Sequence, residues 1–256
     1  MKFKLTLLTV GIAIQSNSFA EGTQEIEPTF NGSISAVSAY VSRGGTNAPE
    51  NPDPVIQGSL TAGYNGFYAF YWFSQLDYSI KELQTGKSAK ATDFYEHDLF
   101  LGYANNYKNI NYDIFTAIYY YPGGKNSTGF ESGINLSTKL SERNDRVNIS
   151  LMTYLDDVLY ANQGDTYMTL GYNYPLNDKW NIDLTGGFSY FNNEGEYEGD
   201  LFLNTKKDFV FRHITAKLNR KLNESTNAWM QYIVGGENRS GIDQKNMVVA
   251  GVKYNF

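Results

Sequence analysis

The feature that most constrains the fold is a set of segments, each about ten residues long, in which apolar and polar side chains alternate. A period of two is typical of a β-strand with one apolar face, because successive side chains point to opposite sides. The chain ends on such a segment, MVVAGVKYNF, whose apolar face carries Val248, Ala250, Val252, Tyr254 and Phe256. An apolar strand at the end of a chain needs a protected edge, since exposed edges pair with other molecules. A closed barrel gives that protection.

The alternation predicts twelve strands, and bacterial single-chain outer-membrane barrels have an even number. The predicted strands are residues 30–42, 55–64, 67–79, 93–104, 110–121, 129–140, 146–156, 165–174, 179–191, 207–219, 226–236 and 245–256. Short polar connections such as Asn65-Gly66 alternate with longer ones such as residues 192–206. This sorting is typical of periplasmic turns and external loops. We therefore predict an all-β fold, a transmembrane antiparallel up-and-down β-barrel over residues 21–256.

The first 20 residues have the pattern of a secretory signal peptide. Lys2 and Lys4 precede an apolar stretch, and Ser18-Phe19-Ala20 forms a small-x-small cleavage site. Cleavage before Glu21 removes the two lysines and takes the formal net charge from −6 to −8. We expect export to the outer membrane of a Gram-negative bacterium. An acidic chain without a basic patch argues against binding to nucleic acid.

Aromatic residues make up 16% of the chain, yet no window contains 18 consecutive apolar residues that would predict a membrane helix. Many aromatic residues lie near predicted strand ends: Tyr103, Tyr121, Tyr174, Trp180, Tyr190, Trp229, Tyr254 and Phe256. Amphipathic rings prefer the headgroup level of a membrane, so this distribution favours two aromatic girdles. The alternative is that Tyr and Phe simply favour strands.

One stretch resembles a known family. Residues 38–78 contain Tyr-x-x-Arg-Gly, Pro-x-x-Gln-Gly and Gly-Phe-Tyr elements, followed by YEHDLFLGY, YYYPGG and GFESG. The matching positions are Tyr40, Arg43, Gly44, Pro54, Gln57, Gly58, Gly66, Phe67, Tyr68, Trp72, Ser74, Glu96, Asp98, Gly102, Tyr103, Tyr121, Pro122 and Glu131. In these elements, over roughly residues 38–135, the chain resembles the porin family known as TorF. The resemblance implies a porin-like channel without a defined substrate. Phe70 stands where that family often has a small residue.

The candidate working surface is the polar face of the strands. A charge on the lipid face costs ~2–4 kcal/mol at the membrane midplane, so strand charges are expected to point inward. The predicted pore-lining residues are Glu96, Asp98, Asp113, Glu131, Lys139, Arg146, Asp183, His213, Lys217 and Lys253, with Arg43 reaching inward from the first external loop. The predicted depth of the charged side chains in the barrel leads to a hypothesis, an acidic vestibule above a basic exit. The vestibule would contain Asp77, Glu96, Asp98, Glu131 and Asp156, and the exit Lys139, Arg146, Lys217 and Lys253. The alternative is that these charges satisfy each other and plug the pore.

These features favour a monomeric channel for passive diffusion of small hydrophilic solutes or ions, without a cofactor. Its expected partners are outer-membrane lipid and lipopolysaccharide. A structural or surface-interaction barrel with a blocked lumen is the alternative, favoured if Phe115, Tyr119 and Tyr121 converge. A lipid-modifying enzyme using His213 is a further alternative, although neither His97 nor His213 lies in a nucleophile elbow or a His-x-x-x-His spacing.

The acidic run NNEGEYEGD, residues 192–200, is predicted to be an external loop. Its carboxylates suit divalent cations that bridge lipopolysaccharide. A solvated loop without a ligand is the simpler interpretation.

Overall fold

The computed structural model describes residues 27–47, 49, 53–200 and 202–256, so the predicted signal peptide lies outside the described residues. Twelve antiparallel strands form one closed barrel in which each strand pairs with its sequence neighbours and the last pairs with the first. The strands are β1 Thr29–Val37, β2 Val55–Tyr64, β3 Phe67–Gln75, β4 Tyr95–Tyr107, β5 Ile110–Tyr120, β6 Gly129–Lys139, β7 Arg146–Tyr154, β8 Thr166–Pro175, β9 Trp180–Tyr190, β10 Phe209–Lys221, β11 Thr226–Gly235 and β12 Met247–Asn255. The predicted fold class and strand number are confirmed.

The barrel is closed by β1 and β12. Their register runs from Ser33 opposite Asn255 to Val37 opposite Gly251. Beyond this register, Gly32 and Phe256 exchange two backbone hydrogen bonds of 2.9 and 3.0 Å. The apolar C-terminal strand therefore has a partner on both sides, which removes the exposed edge.

The connections are sorted by length between the two ends of the barrel. At one end, β2 and β3 are joined by Asn65 and Gly66 alone, and both residues have positive φ angles, 50° and 83°. These angles suit the two-residue hairpin turn that Asn-Gly predicts. At the other end, residues 38–54, 76–94 and 191–208 form long connections. We call these the short-turn end and the long-loop end.

Two predicted strands end early, and one predicted loop contains helices. β1 stops at Val37 rather than at residue 42, because the chain leaves the wall there and turns into the barrel. β3 stops at Gln75 rather than at residue 79 and is followed by helix α1, Ile80–Thr85. Gly86 ends α1 in a left-handed conformation, with its N–H bonded to Glu82 O at 2.8 Å. A 3₁₀ helix, Ala91–Asp93, leads into β4. No helix among the described residues is long and apolar enough to cross a membrane.

The outward face of the barrel is apolar. Exposed aliphatic side chains on it include Leu60, Leu99, Leu101, Ile114, Ile149, Leu151, Leu170, Leu184, Ile214, Val248 and Val252. Exposed aromatic side chains flank them at the strand ends: Phe30, Tyr64, Phe67, Tyr107, Tyr254 and Phe256 at the short-turn end, and Tyr120, Tyr190, Phe209 and Tyr232 at the long-loop end. Two residues assigned to the girdles from the sequence are placed differently, because Tyr121 and Trp229 point into the barrel.

The interior contains two clusters of buried apolar side chains. One cluster lies along β3 to β8 and includes Phe70, Phe100, Phe115, Tyr119, Tyr154 and Tyr167. The other joins β1, β2, β11 and β12 and includes Val37, Val55, Trp229, Ile233 and Val249. These positions show which side chains of the first, third and fifth strands point inward; the third and fifth strands carry aromatic residues on both faces. The inward side chains are Val37, Phe70 and Phe115.

Candidate functional site

A segment of the chain enters the barrel at the long-loop end. This inward segment, residues 38–47, follows β1 and turns at Arg43 and Gly44, whose φ angles are 49° and 76°. Thr46 Oγ1 donates to Lys245 O at 2.6 Å, and Arg212 Nε donates to Arg43 O at 3.1 Å. The segment is therefore tied to the connection that precedes β12 and to strand β10.

The inward segment delivers the Arg43 guanidinium to the β5–β8 wall. Arg43 donates from both terminal nitrogens to Glu131, at 2.7 Å to Oε1 and 2.6 Å to Oε2. Tyr119 OH donates to the same carboxylate at 2.6 Å. The guanidinium carbon also lies 5.8, 5.4 and 5.4 Å from the ring centres of Tyr119, Tyr154 and Tyr167. Planar two-point pairing and ring contact are geometries that suit guanidinium better than ammonium.

Two further carboxylates lie next to this ion pair. Glu96 accepts hydrogen bonds from Tyr40 OH at 2.5 Å and from Tyr121 OH at 2.6 Å. Asp98 is 7% exposed, interacts electrostatically with Arg43, Glu96 and Glu131, and has one oxygen, Oδ1, without a hydrogen-bond partner in the described part of the chain. We call Glu96, Asp98, Glu131, Tyr119, Tyr154 and Tyr167 the Arg43 pocket. Arg43 therefore reaches into the barrel, and it lies beside three of the five acids of the predicted vestibule, Glu96, Asp98 and Glu131.

The remaining predicted acids lie apart from this pocket. Asp113 accepts from Tyr68 OH at 2.8 Å and from Asn135 Nδ2 at 2.9 Å. Asp183 accepts from Asn173 and, at 2.7 Å, from Asn219. Both carboxylates point inward and are occupied by uncharged neighbouring side chains. Outside the strands, Asp77 accepts from Asp53 N at 3.0 Å and Asp156 from Phe130 N at 3.1 Å.

The four predicted cations fall into two groups. Lys139 is exposed at the end of β6, and Arg146 lies opposite it at the start of β7. Lys217 and Lys253 are buried in the wall on the far side of the barrel, and the Lys217 amine lies 4.5 Å from the ring centre of Trp229. Asp183 faces Lys217 across the β9–β10 pair. The cations therefore lie at different depths rather than in one ring at the mouth.

The two histidines lie on opposite faces of the wall, as the sequence predicts. His213 points inward, where Nε2 lies 2.7 Å from Tyr167 OH and Nδ1 lies 3.0 Å from Thr215 Oγ1. His97 lies on the outward face, 2.8 Å from Tyr71 OH through Nδ1. Among the described residues, neither arrangement brings a serine or a second histidine within hydrogen-bond distance of the imidazole, so these contacts give no support to nucleophilic catalysis.

The acidic run at residues 192–200 lies against its neighbouring loops. Glu198 accepts from Asn162 Nδ2 at 2.8 Å and from Thr205 Oγ1 at 3.0 Å, and Arg239 NH1 lies 3.8 Å from it. In the part of the chain that the structure describes, no group of three or more His, Asp or Glu side chains is arranged to hold a metal ion.

Sequence reasoning missed two of the three tyrosines that build the Arg43 pocket, Tyr154 and Tyr167. Tyr154 and Tyr167 lie on the same inward parity as Ser150 and Thr169, so alternation alone assigns their face. It does not show that rings from different strands meet around one guanidinium, because that depends on the stagger of the strands around the barrel.

Comparison with known proteins places most of the chain in one family. The model of one family, described as "Bacterial protein of unknown function (Gcw_chp)", matches residues 21–232. Among curated proteins, none matches the sequence.

Solved outer-membrane structures share the fold at low sequence identity. The KdgM porin aligns with a TM-score of 0.57 and 9% identity, covering 88% of this chain and 99% of that one. The NanC porin aligns with a TM-score of 0.55 and 10% identity, covering 88% and 99%. The COG4313 outer membrane channel from Pseudomonas putida F1 aligns with a TM-score of 0.50 and 10% identity, covering 88% and 94%. Likeness at this identity concerns the fold alone.

Proposed function

The chain belongs to the Gcw_chp family of bacterial proteins of unknown function, and we propose that it is an outer-membrane, porin-like channel for passive diffusion of small hydrophilic solutes or ions. The proposal rests on one observation, that the closed barrel has two faces of different character. The outward face is an apolar band between aromatic residues, and the inward face carries the charged side chains. That arrangement suits lipid outside and polar solute inside.

Several features support this proposal. The fold is shared with the KdgM and NanC porins. The family model that covers the residues resembling TorF, roughly residues 38–135, is that of Gcw_chp, so the family shown is Gcw_chp and the TorF name is not supported. The sorted connections suit insertion with the short-turn end towards the periplasm and the long-loop end outside. An N-terminal signal peptide, a monomeric state and the absence of enzymatic activity belong to the same proposal.

Single-channel recording tests the proposal. Refolded mature protein is inserted into a planar lipid bilayer under a salt gradient, and its folded state is verified by heat-modifiable gel mobility. Discrete current steps with a defined reversal potential are expected. Folded protein that inserts and passes no current would remove the channel proposal.

A barrel with a blocked lumen is the second candidate, because Phe115, Tyr119 and Tyr121 do converge inside the barrel. Phe115 and Tyr119 lie 5.7 and 6.0 Å from Phe100 between ring centres, and Tyr121 lies 5.4 Å from Tyr160. Phe70, at 5.6 Å from Phe100, adds to the same side. These rings fill part of the interior near the long-loop end, and the inward segment fills another part. A barrel closed in this way would act through its external loops, and the same recording separates it from a channel.

A further inference from the structure

We propose that the Arg43 pocket is a binding site for solute cations that carry a guanidinium group, and that Arg43 is its built-in competitor. This inference rests on the proposed channel function, since the pocket then lies on the solute path. The wall provides the site, and the inward segment provides an occupant that belongs to the same chain.

The chemistry of the pocket suits a planar organic cation. One carboxylate presents both oxygens to a planar cation at 2.7 and 2.6 Å, while three tyrosine rings surround the same cation within 5.8 Å. Carboxylates and aromatic faces together form a recognised environment for organic cations. The two-point pairing with Glu131 adds a preference for a planar fork over a round ammonium ion.

The pocket also holds more carboxyl groups than Arg43 pairs with. Glu96, Asp98 and Glu131 face one guanidinium, and Asp98 keeps an oxygen that accepts no hydrogen bond from any described residue. A buried carboxylate oxygen without a partner is costly, so it marks a place where a donor is missing. A cationic solute with several N–H groups supplies such donors.

The Arg43 side chain can be displaced without disturbing the wall. Glu131 is 0% exposed in the wall, whereas the Arg43 side chain is 23% exposed and comes from a connecting segment. Arg43 also adopts a left-handed φ of 49°, which is unfavourable for a residue with a Cβ atom. A competing guanidinium group would therefore displace the Arg43 side chain and leave the strands in place, while Tyr40, Thr46 and the Arg43 carbonyl keep the segment bonded to the barrel.

The experiment uses guanidinium chloride at millimolar concentration as the probe, with potassium and tetramethylammonium chloride at equal ionic strength as controls. Binding is measured on detergent-folded protein by the shift in the heat-modifiable transition and by tyrosine fluorescence. Block of single-channel current is measured in parallel. The proteins compared are wild type, Arg43→Ala, Arg43→Ala/Glu131→Gln, and Arg146→Ala as a matched control that removes an arginine outside the pocket.

Guanidinium should bind Arg43→Ala saturably, with a half-saturating concentration at least about tenfold lower than for wild type or for the double variant. A tenfold difference in half-saturating concentration is the size expected when the solute guanidinium loses one charge-assisted hydrogen bond to Glu131. Arg146→Ala should behave as wild type, and tetramethylammonium should bind more weakly than guanidinium. If Arg43→Ala does not fold, Arg43→Gln carries the same comparison.

Equal response of Arg43→Ala and the double variant, or no response of either, would overturn the pocket as a guanidinium site. The binding measurement does not depend on conduction. Saturable binding by a barrel that passes no current would therefore support the binding site and contradict the channel. Open channels that guanidinium neither binds nor blocks would support the channel and contradict the binding site.

Discussion

At the scale of single residues, the position of Arg43 organises the interior, and the turn at Arg43 and Gly44 sets that position. Arg43 and Gly44 adopt positive φ angles that aim the guanidinium at Glu131. An ideal Cβ on Gly44 would lie 2.6 Å from the His213 ring, so the segment approaches the β10 wall as closely as the backbone allows. The sequence carries the Arg-Gly pair and predicts an inward Arg43, but it does not reveal this contact.

Replacing Gly44 with alanine should loosen the inward segment. The left-handed conformation costs alanine about 1–2 kcal/mol, and the contact with His213 adds to this cost. We expect a larger or noisier single-channel current and faster proteolysis of residues 38–54. Gly164→Ala is the matched control, since Gly164 has φ 89° with nothing within 4 Å of its ideal Cβ. Identical behaviour of the two variants would show that the His213 contact does not hold the segment.

The hydrogen bonds of Asp93 predict that the stability of its loop, at the long-loop end, depends on pH. The Lys90 backbone N–H and then the Lys81 amine, 3.0 Å away, lower the pKa of Asp93 below its ordinary value. A lowered pKa means that the ionised form stabilises the folded loop. This contribution is complete above the unfolded pKa of about 3.9 and is lost as the pH falls through the lower folded value.

Protease cleavage within residues 76–94 should therefore accelerate as the pH falls below about 4, with an acid-active protease as the probe. At each pH, the ratio of the Asp93→Asn rate to the wild-type rate cancels the protease's own pH dependence; this ratio should exceed one at about pH 5 and fall towards one as the pH drops below about 4. A wild-type rate that stays flat through this range would contradict the assigned role of Asp93.

At the scale of elements, each strand separates two environments by alternation. On β5, Phe115 is 2% exposed inside the barrel and its neighbour Ile114 is 55% exposed outside. Twelve strands and their inward faces were predictable because apolar and polar residues alternate in most of the segments. The end of β1 and helix α1 were not predictable, because the inward turn depends on partners distant in sequence and six residues are too few for a clear helical period.

Truncating Phe115 to alanine should destabilise the barrel by about 3–5 kcal/mol, because it leaves a cavity in the aromatic cluster. Ile114→Ala on the outward face is the control and should cost less, since lipid fills the space. Unfolding from lipid vesicles with urea measures both. Equal losses would mean that the interior near Phe115 is not packed. If the aromatic cluster limits conduction, Phe115→Ala also raises the current.

At the scale of the whole molecule, closure and the two faces were accessible from the sequence, whereas the filling of the interior was not. Parity assigned an inward face to the acids, but it did not show that Asp113 and Asp183 are occupied by asparagines. Nor did it show that Lys217 and Lys253 lie apart from Lys139 and Arg146. These groupings depend on strand stagger and side-chain reach, which the alternation does not encode.

A charge on the outward face tests the placement of the molecule in lipid. Leu170 lies mid-strand on β8 and is 55% exposed. Leu170→Arg should lower the free energy of unfolding from lipid by about 2–4 kcal/mol if this position lies near the midplane. Leu170→Ala separates the charge from the lost side chain. An arginine variant as stable as the alanine variant would mean that water, not lipid, covers this face.

The most direct test of the central claim is the single-channel current of the folded wild-type protein in a planar bilayer. The account predicts discrete steps and a reversal potential under a salt gradient, because polar and charged side chains line a closed barrel. A silent bilayer, from protein whose gel mobility shows that it is folded and inserted, would contradict the channel and leave the blocked barrel.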